Sequence, residues 1–161
     1  MVFEAARPQD AAELSRLTYD SKKFWGYPDA YMALWTNALT ITPEYIEKNT
    51  VVMAVADGEI AGYFSITREG PEEVLEVGNY RMAGGFFLDN LFIRPERIRQ
   101  GLGRQLLAMA LEHCRAQGVT LLHVYSDPNA KSFYEAMGAE HLGDVPTKIP
   151  GRALPIMLFR L

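Results

Sequence analysis

Gly101 and Gly103 stand two apart in Arg97-Ile98-Arg99-Gln100-Gly101-Leu102-Gly103-Arg104, where an apolar strand pattern ends and a helical one begins. Glycine at a strand-to-helix turn lets backbone N–H groups approach an anion, because no Cβ stands in the way. The N-terminus of the helix adds about half a positive charge aimed at the same point. Arg94, Arg97, Arg99 and Arg104 crowd this corner of a chain whose net charge is −4. Together these features suit a phosphate or pyrophosphate. The bland alternative is a solvated basic turn whose glycine only lets the helix pack on a sheet. No Lys-Ser/Thr follows the glycines, which excludes the ATP-binding P-loop. The third glycine of the dinucleotide fingerprint would fall on Leu106.

Three other sets of residues could do chemistry. Asp89 lies in the apolar run Phe86–Ile93 and alternates onto one face with Phe87, Leu91 and Ile93, so it reads as a carboxylate among apolar neighbours. Desolvation at such a place strengthens a carboxylate as a general base. Asn90 points the other way and reads as structural. His123, in the strand pattern Val119–Tyr125, is either a second base or a satisfied core histidine, and His113 and His141 read as peripheral. Trp25, Tyr27, Tyr31 and Trp35 form a dense aromatic group, suited to lining a pocket for an apolar or cationic acceptor or to ordinary packing. Cys114 falls on an apolar helix face, and no three His, Cys, Asp or Glu share ligand spacing, so no metal is expected.

The elements that must position these residues read as follows. A first strand lies within Met1–Arg7, and Asp10 with Glu13 has the spacing of a capping box before a helix to about Asp20. Thr42-Pro43 opens a short helix. Val51–Ala56 and Ile60–Thr67 are strands joined by the turn pair Asp57-Gly58. Arg68–Gly85 is ambiguous, with Gly70-Pro71 and Gly84-Gly85 resembling turns. Phe86–Ile93 is the strongest strand pattern. Gly101–Gln117 is a helix stopped by Gly118, Val119–Tyr125 a strand, and Asn129–Met137 a helix closed by Gly138. Strands near Ala139–Leu142 and Ala153–Leu161 complete the chain. The alternation in the second half implies a crossover and a parallel pair, joined to an antiparallel first half. A single mixed α/β domain over residues 1–161 is expected.

Composition narrows the function classes. Apolar residues at 48% and charged residues at 22% are those of a globular domain. No run of roughly 20 apolar residues is present, and Met1–Asp10 does not read as a signal peptide. The lone cysteine agrees with a reducing compartment, so a cytoplasmic location is expected. The acidic balance argues against general nucleic-acid or membrane-surface binding.

Asp127-Pro128-Asn129-Ala130-Lys131-Ser132-Phe133-Tyr134, taken with Leu88–Leu107, resembles the GNAT superfamily of acyl-CoA-dependent N-acetyltransferases. The likeness is specific over Leu88–Ala139, and the family's N-x-x-A-x-x-F-Y pattern maps onto Asp127, Ala130, Phe133 and Tyr134. It implies a mixed, mostly antiparallel sheet with a parallel pair at its centre and helices on both faces. It implies that Arg99, Gln100, Gly101, Leu102, Gly103 and Arg104 bind the coenzyme pyrophosphate through backbone amides. Leu91, Phe92 and Ile93 would pair with the pantetheine arm, and Asn129 and Phe133 would also contact the coenzyme. Tyr134 would protonate the departing thiolate, and Asp89 matches an acidic position that deprotonates the amine in some members. Trp25, Tyr27, Tyr31 and Trp35 occupy the region forming the acceptor-side wall. Two positions depart from the pattern: Ile98 replaces an Arg or Gln before the glycines, and Asp127 replaces the leading Asn.

The function implied is transfer of an acetyl group from acetyl-CoA, without a metal, to the primary amine of a small molecule in a ternary complex. A homodimer is compatible with that reading. Two alternatives stand beside it: a non-catalytic acyl-CoA sensor on the same fold, and an acetyltransferase acting on a protein lysine or N-terminus.

Overall fold

The computed structural model describes all residues 1–161. Its seven strands are β1 (Val2–Ala5), β2 (Thr50–Ala56), β3 (Glu59–Val77), β4 (Tyr80–Ile93), β5 (Leu121–Tyr125), β6 (Glu140–Pro146) and β7 (Ala153–Arg160). They form one sheet in the order β1-β2-β3-β4-β5-β7-β6. Five helices surround it: α1 (Ala11–Lys23), α2 (Asp29–Leu34), α3 (Pro43–Lys48), α4 (Leu102–Ala116) and α5 (Lys131–Ala136). The expected mixed α/β sheet is the one observed. Its parallel pair is β4 with β5, in the register Phe86↔Leu122 and Phe87↔His123. The pairings β1–β2, β2–β3, β5–β7 and β6–β7 are antiparallel.

Within this fold the chain divides into two compact units, Met1–Ile66 with Asn90–Ala110 and Thr67–Asp89 with Leu111–Leu161. The core of the first gathers Leu14 and Leu17 of α1, Ile46 of α3, and Val51, Met53, Ile60 and Tyr63 of β2 and β3. Burying each such side chain contributes about 1.5–3 kcal/mol against leaving it exposed. The core of the second joins Leu75, Val77, Phe87 and Ile156.

Local chemistry explains most boundaries. Asp57 and Gly58 have φ of 53° and 76°, the left-handed pair that a two-residue hairpin requires, and they close β2 onto β3 at Ala56↔Glu59. Thr42 caps α3 by accepting from the Tyr45 N–H at 3.0 Å. The capping box expected at Asp10 is displaced. The Asp10 carboxylate accepts from the Arg7 N–H at 2.8 Å and closes a 3₁₀ turn, while Glu13 reaches the Ile60 N–H and Arg94, each at 3.4 Å. The Asp29–Leu34 helix, absent from the expected elements, lies inside the aromatic stretch.

The ambiguous segment turns out to be strand. β3 runs on through Pro71, which sits where β3 has outrun β2 and its missing N–H interrupts no ladder with that strand. Gly84-Gly85 is a kink inside β4, not a turn between elements: their φ angles are 73° and 110°, and a Cβ on Gly84 would lie 2.7 Å from the Glu69 carbonyl oxygen. In α4 the helical spacing predicts a buried face of Gly103, Leu106, Leu107, Ala110, Leu111 and Cys114; all of these but the half-buried Gly103 are buried, and Leu102 joins them.

Candidate functional site

In the first unit, the turn between β4 and α4 is built around left-handed backbone. Arg99 has φ of 65° and Gly101 of 83°, so this stretch curls its amides to one side. The first bond of α4 runs from the Gln105 N–H to the Gly101 carbonyl, leaving the N–H groups of Leu102, Gly103 and Arg104 with no carbonyl of the chain to donate to. Three free amides at the start of a 15-residue helix fit an anion with several oxygens. The four arginines divide in role. Arg94 is structural: its N–H bonds Ala61, its Nε bonds Ile60, and its Nη2 reaches Glu13. Arg97 pairs with Asp57 at 3.4 Å. Arg99 and Arg104 are exposed and form no ion pair, which leaves them for a ligand. Ile98 is half-buried beside them and offers no side-chain donor.

Leu91, Phe92 and Ile93 lead into this turn, and all three are partly buried. Phe92 packs on the core and lies 6.2 Å from the Tyr63 ring. Gly62 permits that approach, since a Cβ there would lie 2.9 Å from the Phe92 carbonyl oxygen. Asn90, as expected, is structural: buried, it donates to Ser65 Oγ at 2.9 Å and Tyr45 Oη at 3.2 Å.

The aromatic group splits. Tyr27, Tyr31 and Trp35 pack edge to face or tilted, with centroids 5.0–6.4 Å apart. The Lys22 ammonium sits 4.9 Å from Trp35 and 5.3 Å from Tyr27, so the chain's own cation occupies their faces. Trp25 is exposed and pairs with Phe24.

In the second unit, the parallel pairing of β4 with β5 stops at Phe87↔His123, although β4 continues through Leu88 and Asp89 and β5 through Val124 and Tyr125. Beyond that point the two strands do not bond each other, and an extended ligand could use their peptide groups. Asp89 is exposed, not enclosed among apolar neighbours as the strand alternation suggested. It lines an open cleft together with Thr67, Glu69, Glu73, Phe87 and Tyr125.

His123 is 1% exposed and satisfied on both nitrogens. Nδ1 lies 3.3 Å from the Phe86 carbonyl oxygen and Nε2 lies 2.5 Å from Tyr80 Oη. A carbonyl can only accept, so Nδ1 carries the proton and Nε2 accepts from the tyrosine. Burial pushes its pKa below the usual histidine value, with the Phe86 bond opposing, and the ring stays neutral. These contacts are those of a satisfied core histidine.

Tyr134 sits on α5, after a 3₁₀ turn in which Asp127 Oδ1 accepts from the Asn129 N–H at 2.8 Å. Asp127 thus caps this turn through a side-chain oxygen in place of the family's Asn. Its other oxygen lies 3.6 Å from Arg152. The Tyr134 ring is buried against Phe133 at 5.3 Å and Phe159 at 6.3 Å. Burial, then the Asp127 charge, push its phenol far above the ordinary tyrosine value. No hydrogen bond ties up its hydroxyl, and no fully enclosed polar side-chain atom lacks a partner, so the oxygen opens outward. Asn129 is exposed and Phe133 half-buried. No group of three metal-ligating side chains occurs.

Glu69, Glu73, Phe87 and Tyr125 were not among the expected site residues. Their signal was the alternation of Leu75 and Val77 with exposed Val74 and Glu76, masked by Gly70-Pro71 and Gly84-Gly85.

A sheet of this order with a parallel pair that separates, and a helix beginning on free amides, is the arrangement that the GNAT resemblance implies. The model of the acetyltransferase (GNAT) domain matches residues 35–147, and the chain belongs to that family of enzymes. No curated protein sequence matches it. Among solved structures, it resembles a GCN5-related N-acetyltransferase from Rhodopseudomonas palustris at 19% identity and a TM-score of 0.76, over 99% of this chain and 95% of that one. The PaiA N-acetyltransferase from Thermoplasma acidophilum, in complex with coenzyme A, aligns over 100% of both chains at 18% identity and a TM-score of 0.69. A GNAT family acetyltransferase from Brucella melitensis, in complex with acetyl-CoA, aligns over 95% of this chain and 94% of its own at 22% identity and a TM-score of 0.62.

Proposed function

We propose that this enzyme moves the acetyl group of acetyl-CoA to the primary amine of a small molecule by direct attack in a ternary complex. The observation that carries the reading is the trio of free N–H groups on Leu102, Gly103 and Arg104, behind the left-handed Arg99 and Gly101. Those amides, with Arg99 and Arg104, hold the pyrophosphate, and the open peptide groups of Leu91–Ile93 hold the extended arm. Asn129 and Phe133 contact that arm as well. The coenzyme supplies an acetyl thioester, whose carbonyl the amine attacks.

The chain's own work is then proton traffic. An alkyl amine is ordinarily protonated near pH 7, with a pKa of about 10, and must lose a proton to attack. Asp89 holds the ammonium and passes that proton to solvent, a role its exposure allows. Tyr134 remains protonated and donates a hydrogen bond to the sulfur as the C–S bond breaks. The Tyr27–Tyr31–Trp35 cluster, its cation seat taken by Lys22, offers the acceptor an apolar wall, with the exposed Trp25 ring beside it in sequence.

The test is thiol release from acetyl-CoA, with the product identified by mass, against alkyl amines, amino acids and lysine-bearing peptides. The reading expects acetylated small amines. Turnover confined to peptides would replace it with the protein-modifying alternative, and coenzyme binding without turnover on any acceptor would replace it with the sensor.

A further inference from the structure

Resting on that reading, we infer that Tyr80 and His123 are positioning residues for the coenzyme arm: their hydrogen-bonded pair ties β4 to β5 at the apex of the gap that admits the arm. The whole arrangement belongs to the second unit. Phe87 and His123 are the last partners of the parallel ladder, and past them the two strands no longer pair with each other. At that last rung the tie passes from backbone to side chain. The His123 ring turns back on β4, where Nδ1–H donates to the Phe86 carbonyl at 3.3 Å and Nε2 accepts from the Tyr80 hydroxyl at 2.5 Å. A straight strand would carry Tyr80 about 20 Å from Phe86. Gly84 and Gly85, with φ of 73° and 110°, bend β4 between them, and both residues reach one imidazole.

Rings continue the tie along the gap. His123 packs against Tyr80 and Phe87, with centroids 5.6 and 5.2 Å away, and Phe87 stacks on Tyr125 at 5.7 Å with planes 15° apart. Two of these rings come from β4 and two from β5, so ring packing joins the strands where the peptide ladder does not. Tyr80 itself packs on the core of Leu75, Val77, Phe87 and Ile156, which holds its hydroxyl in place. By claiming Nε2, that hydroxyl fixes the tautomer and the orientation of the imidazole, and Nδ1–H is left to grip the β4 backbone. A buried polar pair contributes little net stability, since apolar side chains of the same shape can do as well. What it adds is direction. An extended arm that bonds peptide groups needs N···O distances of about 2.7–3.2 Å, and a shift at the apex moves every peptide group beyond it.

The experiment measures, by calorimetry, binding of coenzyme A and of 3′-phosphoadenosine 5′-diphosphate, the same molecule without its arm. Wild type is compared with His123→Gln, His123→Asn and Tyr80→Phe. Glutamine places its amide at Nε2 and loses the N–H toward Phe86, whereas asparagine places its amide at Nδ1 and keeps it. His123→Gln is expected to weaken coenzyme A about 10-fold and Tyr80→Phe about 3-fold, with the armless nucleotide bound as by wild type. His123→Asn should lose no more than Tyr80→Phe. Equal losses for both ligands would show a general loosening of the fold and overturn the assignment. So would coenzyme A bound at wild-type strength by His123→Gln and Tyr80→Phe, or His123→Asn as weak as His123→Gln. If glutamine prevents folding, Tyr80→Phe, which removes only an oxygen, decides alone. Wild type that binds coenzyme A but releases no thiol with any amine overturns the transfer reading and leaves these comparisons standing. Wild type that binds no coenzyme A overturns both.

Discussion

Tyr134 combines features that sequence pattern alone rarely reveals together: a buried ring, an unbonded hydroxyl and a carboxylate nearby. A phenol held above its ordinary value gives up its proton reluctantly, which makes it a hydrogen-bond donor through the whole working pH range. Such a donor stabilises a departing thiolate without first having to be protonated. Tyr134→Phe removes only the oxygen and breaks no bond within the protein. The expected result is a fall in kcat of about 10²-fold, with the coenzyme dissociation constant and the melting temperature unmoved. Full turnover in that variant would show that water or another group protonates the sulfur. Asp89→Asn should behave differently, losing rate near neutral pH and recovering part of it at high pH, where free amine is abundant. A pH–rate profile unmoved in the Asn variant would remove Asp89 from the proton path, and the doubly satisfied His123 would not replace it.

The turn that opens α4 separates two uses of glycine. At Gly101 a Cβ would meet nothing within 4 Å, so the requirement is φ of +83° alone. Gly101→Val strains the backbone by about 1–3 kcal/mol and turns the neighbouring amides away. We expect coenzyme A affinity to fall ~10-fold or more while the far-ultraviolet dichroism is retained. At Gly62 the obstacle is space, since Phe92 and Ile93 crowd the missing Cβ. Gly62→Ala should therefore act by displacing the end of β4, lowering stability by more than the strain at Gly101 does, and affinity with it. Urea midpoints measured with and without coenzyme A distinguish the two. Equal stability losses in both variants would contradict the distinction.

For the protein as a whole, the buried neutral His123 ties folding to pH. Its folded-state pKa lies below the unfolded value of about 6.5, so the unfolded chain binds the extra proton first. Stability is therefore full above pH 6.5 and declines as pH falls beneath it. Tyr80, Tyr125 and Tyr134, all raised, act at the other end and make stability decline above about pH 10. Urea unfolding at pH 7.5, 6.5 and 5.5 should show the acid decline, and His123→Asn should flatten it even if its overall stability is lower. Saturating coenzyme A should add about 2.7 kcal/mol at a hundred times its dissociation constant.

The strand-to-helix turn, the hairpin at Asp57-Gly58, the stripe of α4 and the Asp127–Tyr134 motif were legible from residue order. Each depends on chemistry between near neighbours: a left-handed φ, a cap, a period of 3.6. Where distant segments decide, order was silent or misleading. Asp89 alternates with apolar residues along β4, yet it is exposed, because what lies opposite a strand face is set by other elements. Gly84-Gly85 reads as a turn, but Glu69 and Gly70 bring a second strand against it and make it a kink. The Lys22 ammonium lies over Trp35, thirteen positions on in the chain, a contact that residue order does not announce. The cleft of Glu69, Glu73, Phe87 and Tyr125 draws on three strands, and no window along the chain contains it. Local rules place atoms a few residues apart, whereas burial, pairing and the company a charge keeps follow from packing across the sheet.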